Sequence, residues 1–91
     1  MTATTLGLVA GRHQVPVTGY VFESIPDVTD YSAMTAQAAS VLPMSGDVTI
    51  YVTGLTAAML AVVTVAAERG LSLTAMHFDR DSGEYLPQSV F

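Results

Sequence analysis

The segment His77-Phe78-Asp79-Arg80 sets an imidazole, a carboxylate and a guanidinium almost side by side. An imidazole titrates near neutral pH and can act as acid or base. A carboxylate can orient that imidazole or hold a divalent cation such as Mn or Mg. A guanidinium pairs with phosphate through two parallel hydrogen bonds. A second segment, Thr53-Gly54-Leu55-Thr56, sets two hydroxyls around a glycine. Glycine lets a ligand approach the backbone closely, and amides that open a helix carry partial positive charge. The chemistry these residues suit is the handling of a small phosphate-bearing ligand. His77 and Asp79 are then the catalytic candidates, with Asp79 also the metal candidate. Thr53, Gly54, Thr56 and Arg80 are ligand-binding candidates, and a third segment, Arg12-His13, adds two more with cation-capable side chains.

Each group also has a plainer role. Thr56 can simply cap a helix, with Gly54 as a tight turn. Asp79 and Asp81 can be turn-formers paired to Arg80, with His77 a half-buried strand residue. Arg12-His13 suits a solvated loop tip. Tyr20, Tyr51 and Tyr85 can stack on a base or pack across strands.

The elements that must position these residues follow from the hydrophobic pattern. Thr4 to Ala10 and Val17 to Ile25 read as strands, joined across Gly11 to Pro16 by a connection short enough for a hairpin. Pro26 to Asp30 is a turn from which Asp27, Thr29 or Asp30 caps a helix. That helix carries the stripe Met34, Ala38, Val41 and Leu42 and stops at Pro43. Asp47 to Thr53 is the clearest strand. Thr56 to about Arg69 is a second helix, capped by Thr56, with Gly70 placed to end it in a left-handed conformation. Its inner stripe is expected to be Leu55, Met59, Val62, Val63 and Ala66, yet it is apolar nearly all round and should be covered on two sides. Leu71 to Phe78 and Glu84 to Val90 are strands joined through Asp79 to Gly83. The order β-β-α-β-α-β-β predicts one α/β domain over residues 1–91, a ferredoxin-like or Rossmann-like mixed sheet with two helices. Its central β-α-β unit has parallel strands and a right-handed crossover. The Gly54 turn and the Asp79 turn should therefore leave adjacent strands at the same edge, where open α/β sheets bind ligands.

Composition narrows the partners. The net charge is −5, and the only firm cations are Arg12, Arg69 and Arg80, too few to track duplex DNA. The absence of cysteine removes disulfides, thiolate zinc sites and cysteine nucleophiles. No Gly-x-Ser-x-Gly elbow, Walker loop or metal-spaced histidine pair is present. The N-terminus lacks the basic start and apolar run of a signal peptide, and Leu55 to Ala67 is too short to span a bilayer. A cytoplasmic protein with no membrane contact is expected. Residues are 51% hydrophobic and only 12% charged, against about 25% charged in an ordinary domain. So few charges cannot cover a small domain's surface, and a dimer or higher homo-oligomer is expected.

Ile50-Tyr51-Val52-Thr53-Gly54 leading into an apolar helix, followed by Ala75-Met76-His77-Phe78-Asp79-Arg80 opening a terminal hairpin, resembles the small ring nucleases associated with type III CRISPR systems. The resemblance covers most of the chain in topology and about ten residues in motif. It implies subunits that assemble as dimers or larger forms, and cyclic oligoadenylate bound across them. In some members a divalent metal assists cleavage. By that likeness Asp79 is the metal-associated acid and Arg80 lies near the phosphates. Members of this shape can carry a histidine in the helix after the glycine turn, whereas residues 56–69 here contain none. Unless His77 substitutes, the likeness implies a sponge that sequesters the signal. A self-associating structural protein without a small ligand is the remaining expectation.

Overall fold

The computed structural model describes residues 3–11 and 14–91. Five strands form one mixed sheet: β1 (Ala3–Val9), β2 (Tyr20–Phe22), β3 (Asp47–Tyr51), β4 (Ser72–Asp79) and β5 (Glu84–Ser89). Two helices complete the domain, α1 (Tyr31–Val41) and α2 (Thr56–Arg69). The spatial strand order is β2-β1-β3-β4-β5; the first four are parallel, and β5 returns antiparallel at the edge. This parallel run is the Rossmann-like alternative, with the strand order of flavodoxin-like sheets.

The expected hairpin between the first two strands does not form. β1 and β2 run parallel, with Gly7 opposite Tyr20 and Val9 opposite Phe22. Pro16 and the bends beside it shorten the second strand to three residues, and parallel pairing means that the chain crosses over to β2 instead of folding back on β1. Handedness then dictates where everything lies. The steps β2-α1-β3 and β3-α2-β4 advance in the same direction across the sheet, so right-handed crossovers lay both helices on one face. The step from β1 to β2 runs the other way, so its link belongs to the opposite face. Gly7 records that passage. A Cβ there would run into the Tyr20 ring and stand 3.3 Å from Val17 Cγ2.

The core lies between the sheet and the helices. Leu8, Val21, Val48, Ile50, Leu73 and Ala75 meet Met34 and Ala38 of α1 and Ala58, Ala61, Val62, Val65 and Ala66 of α2. The stripe of α2 is thus rotated from the expected one. Leu55, Met59 and Val63 are only partly buried, because three alanines let the backbone sit close to both α1 and the sheet. The two covered sides are the sheet and α1, while Leu60 remains 60% exposed. Asp30 caps α1 by accepting from Ala33 N, and Gly70 closes α2 at φ 67°. Arg69 locks the helices together. Its guanidinium donates to the carbonyls of Ala39, Leu42 and Pro43 at 2.8, 2.8 and 3.4 Å, satisfying the open end of α1. Among the described residues, no helix is long and apolar enough to cross a membrane.

Replacing Gly7 by alanine should cost about 1–3 kcal/mol in urea unfolding, the usual range for an overpacked site. Adding Tyr20→Ala should recover part of that loss. An unaltered midpoint in Gly7→Ala would show that the link does not press on β1.

Candidate functional site

All four parallel strands deliver their carboxyl ends to one edge, and the strand order reverses at β1, which lies between β2 and β3. Past the last β1–β3 pair, Gly7 with Tyr51, the backbone ladder is continued by a side chain. Thr53 is buried, its hydroxyl donates to Val9 O at 2.8 Å, and it accepts from Val9 N at 3.1 Å. Those two bonds turn the hydroxyl inward. Thr53 therefore closes the sheet at the reversal, and its oxygen does not face the edge.

Gly54 follows at φ 91°, in the left-handed region that glycine tolerates best. Leu55 is the N-cap of α2 and makes no side-chain capping bond; Thr56 is the first helical residue and is exposed. The expected cap by Thr56 is thus corrected: the hydroxyl sits one position too late to reach the amides of the first turn. Those amides start α2 without a side-chain acceptor, unlike those of α1. Arg12 and His13 lie outside the described residues.

On the neighbouring strand, the β3–β4 register pairs Tyr51 with Met76, and Val52 N donates to Met76 O at 3.0 Å. Past that pair the chain runs on to Gly54 after β3 and to Asp79 at the end of β4, both at the same edge of the sheet. The alternation of β4 turns His77 and Asp79 toward the helix side of the sheet, the side on which α2 begins, and Phe78 and Arg80 toward the other. Gly54, the start of α2 and the Asp79-Arg80 turn thus share one edge.

Within that edge the polar groups are partly committed. His77 is exposed rather than half-buried, and its Nε2 lies 2.7 Å from Gln88 Oε1 of β5. One Asp79 carboxylate oxygen accepts from Ser82 N at 3.2 Å, and Gly83 N donates to Asp79 O, closing the turn that Gly83 permits at φ 71°. Bonding to Ser82, first through its side chain and then its backbone, holds the Asp79 carboxyl below its ordinary value. Asp79 is a turn-former whatever else it does. Arg80 is exposed in the turn. Among the described residues, no three histidine, aspartate or glutamate side chains converge as a metal would require. The donor set around Asp79 does not fit a resident divalent ion.

Cavities lie elsewhere. One of about 260 Å³ sits between the end of β2 and α1, lined by Phe22, Ile25, Asp27, Asp30 and Met34; its two carboxylates disfavour an anion. A groove of about 360 Å³ runs between the helices along Tyr31, Thr35, Leu60 and Thr64. Neither includes Gly54, His77, Asp79 or Arg80.

The sheet face away from the helices carries a further constellation, of which the sequence offered only Tyr51 and Tyr85, as residues able to stack on a base or pack across strands. Tyr51 and Tyr85 meet edge-to-face with centroids 5.0 Å apart, and Phe78 meets Tyr85 at 5.4 Å. The Tyr85 hydroxyl is buried without a hydrogen-bond partner. Burial pushes its pKa above the ordinary 10.0, and the phenols of Tyr20 and Tyr51 add to the effect. The legible signal was the alternation Thr49-x-Tyr51 and Thr74-x-Met76-x-Phe78, which keeps uncharged side chains on one face.

No family model, curated protein or solved structure matches this chain.

Thr53→Val should strand the buried amide and carbonyl of Val9 and cost about 1–3 kcal/mol for each group left unpaired, while Thr53→Ser retains most of the stability. Chemical denaturation of the two variants measures the difference, and equal losses would mean the hydroxyl is not what joins β1 to β3. A second expectation concerns alkaline pH. The unfolded chain ionises Tyr85 near 10.0, while the folded chain holds the proton longer. This contribution is therefore full below that pH and is lost as pH rises through the folded-state value. Tyr85→Phe should flatten that decline in unfolding midpoints taken across the alkaline range; an unchanged slope would contradict it.

Proposed function

We propose that the protein binds a small cyclic oligonucleotide, a phosphate-bearing ring of the cyclic oligoadenylate class, at the carboxyl edge of its parallel strands, as a cytoplasmic homo-oligomer in antiviral signalling. The observation that carries this reading is the meeting of Gly54, the uncapped start of α2 and the Asp79-Arg80 turn on one edge beside the reversal of strand order. Backbone amides can hold a compact phosphate without a basic patch, which suits a chain with three arginines. In this reading the first amides of α2 hold one phosphate, Gly54 admits its close approach, and the Thr56 hydroxyl donates to an oxygen. Arg80 pairs with a neighbouring phosphate. A ring with several equivalent phosphates is matched by the same edge on more than one copy.

Cleavage of the ring is a second reading, favoured by His77 and Asp79 sharing the helix side of β4 at this edge. His77, released from Gln88, would take the proton of a ribose hydroxyl as that oxygen attacks the adjacent phosphorus. The bond to the next sugar breaks and the proton passes to the leaving oxygen, giving a linear product that ends in a cyclic phosphate. The step needs no co-reactant and draws chiefly on positioning. Where the ring is held uncut, the protein is a sponge for the signal.

Melting curves with cyclic di-, tri- and tetra-adenylate test the binding. Ligand at about 100 times its Kd adds about 2.7 kcal/mol of stability, a shift of several degrees. Thr56→Glu should abolish the shift without weakening the free protein, since a carboxylate opposes phosphate but suits the first turn of a helix. No shift with any ring, or an equal shift in Thr56→Glu, would remove the proposal. Linear products from wild type but not from His77→Ala would establish cutting, and intact ring recovered after denaturation would establish sequestration.

A further inference from the structure

We propose that the helix-free face of the sheet is the contact surface for a second copy of this chain, two such faces packing sheet on sheet about a two-fold axis. The residues concerned follow from register. Thr49 lies beside Thr74 and Thr74 beside Ser89; Tyr51 lies beside Met76 and Met76 beside Pro87; Phe78 lies beside Tyr85. Paired residues share a face, so these rows form one surface, opposite the buried row of Ile50 and Ala75. It contains no charged side chain between the rim position Asp47 and the hairpin. Tyr51, Met76 and Tyr85 are half-buried, and Phe78 is 52% exposed.

Shape and size favour a second copy. The domain measures 34 × 33 × 21 Å, and the short dimension is that of one helix layer on one sheet layer. One broad side of this slab is the bare sheet, where Val17 of the link after β1 stands beside Gly7 at the β1 and β2 end. The rows of β3, β4 and β5 make up the rest of that side. Two such faces stack at the spacing of a β-sandwich.

Chemistry selects the occupant. Exposed aromatics on a sheet can also stack nucleic acid bases, but that mode needs cations along the backbone track, and this chain has net charge −5. An uncharged face is its own best complement, and a two-fold axis brings it against itself while the acidic groups of the β2–α1 turn stay outside. Tyr51 and Phe78 pack edge-to-face on Tyr85, so the aromatic rows form one continuous surface for the second copy to cover. The interhelical groove offers less, because its Thr35 and Thr64 hydroxyls already donate to Tyr31 O and Leu60 O.

Sedimentation equilibrium of the full chain over a range of concentrations tests this. A concentration-dependent dimer is expected. Phe78→Glu and Thr74→Glu should convert it to monomer while circular dichroism stays unchanged, and Leu60→Glu, on the helix side, should leave it dimeric. Phe78→Glu adds charge at an exposed position and so tests the contact even where Thr74→Glu fails to fold. A wild type that stays monomeric overturns the proposal, as does dissociation by Leu60→Glu but not by Phe78→Glu. Binding of a single-stranded oligonucleotide to a monomer, with quenched tyrosine emission, would overturn it in favour of base stacking. Thr74 lies in the middle of β4, away from the carboxyl edge, so ligand shifts measured with a folded Thr74→Glu separate this failure from that of the nucleotide reading.

Discussion

The handedness of the crossovers is the constraint on which the rest depends. Parallel strands in one sheet must be joined by right-handed connections, and the direction of each step decides which face its connection covers. Two steps in this chain go one way and carry helices; one goes the other way and carries none. The result is a sheet with one face packed against α1 and α2 and the other crossed only by the link after β1. A doubly wound sheet ordinarily covers both faces with helices. Here the described residues between β1 and β2 form no helix, and the bare surface accompanies a very apolar composition.

The same topology produces the carboxyl edge. Because both helices follow parallel strands, both begin there, and their amino ends are treated differently. α1 begins under a capping aspartate, whereas α2 begins after Gly54 with its amides open. The threonine before that glycine is bound into the sheet. Thr53 replaces a missing rung of the β1–β3 ladder, which frees the chain to turn at the next residue without exposing Val9's buried amide and carbonyl. A firm closure and an open turn are thus adjacent residues with opposite duties. At the far end of the helices, Arg69 satisfies three carbonyls of the neighbouring helix end and holds the pair in register.

A sequence with few charges leaves its surface roles to geometry. Of the residues able to do chemistry, Asp79 is held by Ser82 within its own turn, and His77 lies against Gln88 on the edge strand. Among the described residues at the carboxyl edge, the first amides of α2 have no side-chain cap and Thr56 and Arg80 are exposed. The bare sheet face is chemically opposite, neutral and aromatic.

Local pattern alone determined the elements and their order. The stop at Pro43, the strand from Asp47, the helix over 56–69 and its left-handed end at Gly70 are all written in propensity, capping and turn chemistry, which act within a few residues. That the Gly54 and Asp79 turns share an edge was also legible, because a β-α-β unit has one handedness. What the tertiary structure decided were matters of rotation and direction. The phase of α2 could not be read from a helix apolar all round; alanines at 58, 61 and 66 face inward because close packing rewards small side chains there. The direction of β2 turned on whether ten residues fold back or cross over, a choice made by pairing with β1 rather than by the link itself. The inward hydroxyl of Thr53, the reach of Arg69 and the convergence of Tyr51, Phe78 and Tyr85 each join residues distant in sequence, and no local signal encodes a contact whose partner is placed only by the completed sheet.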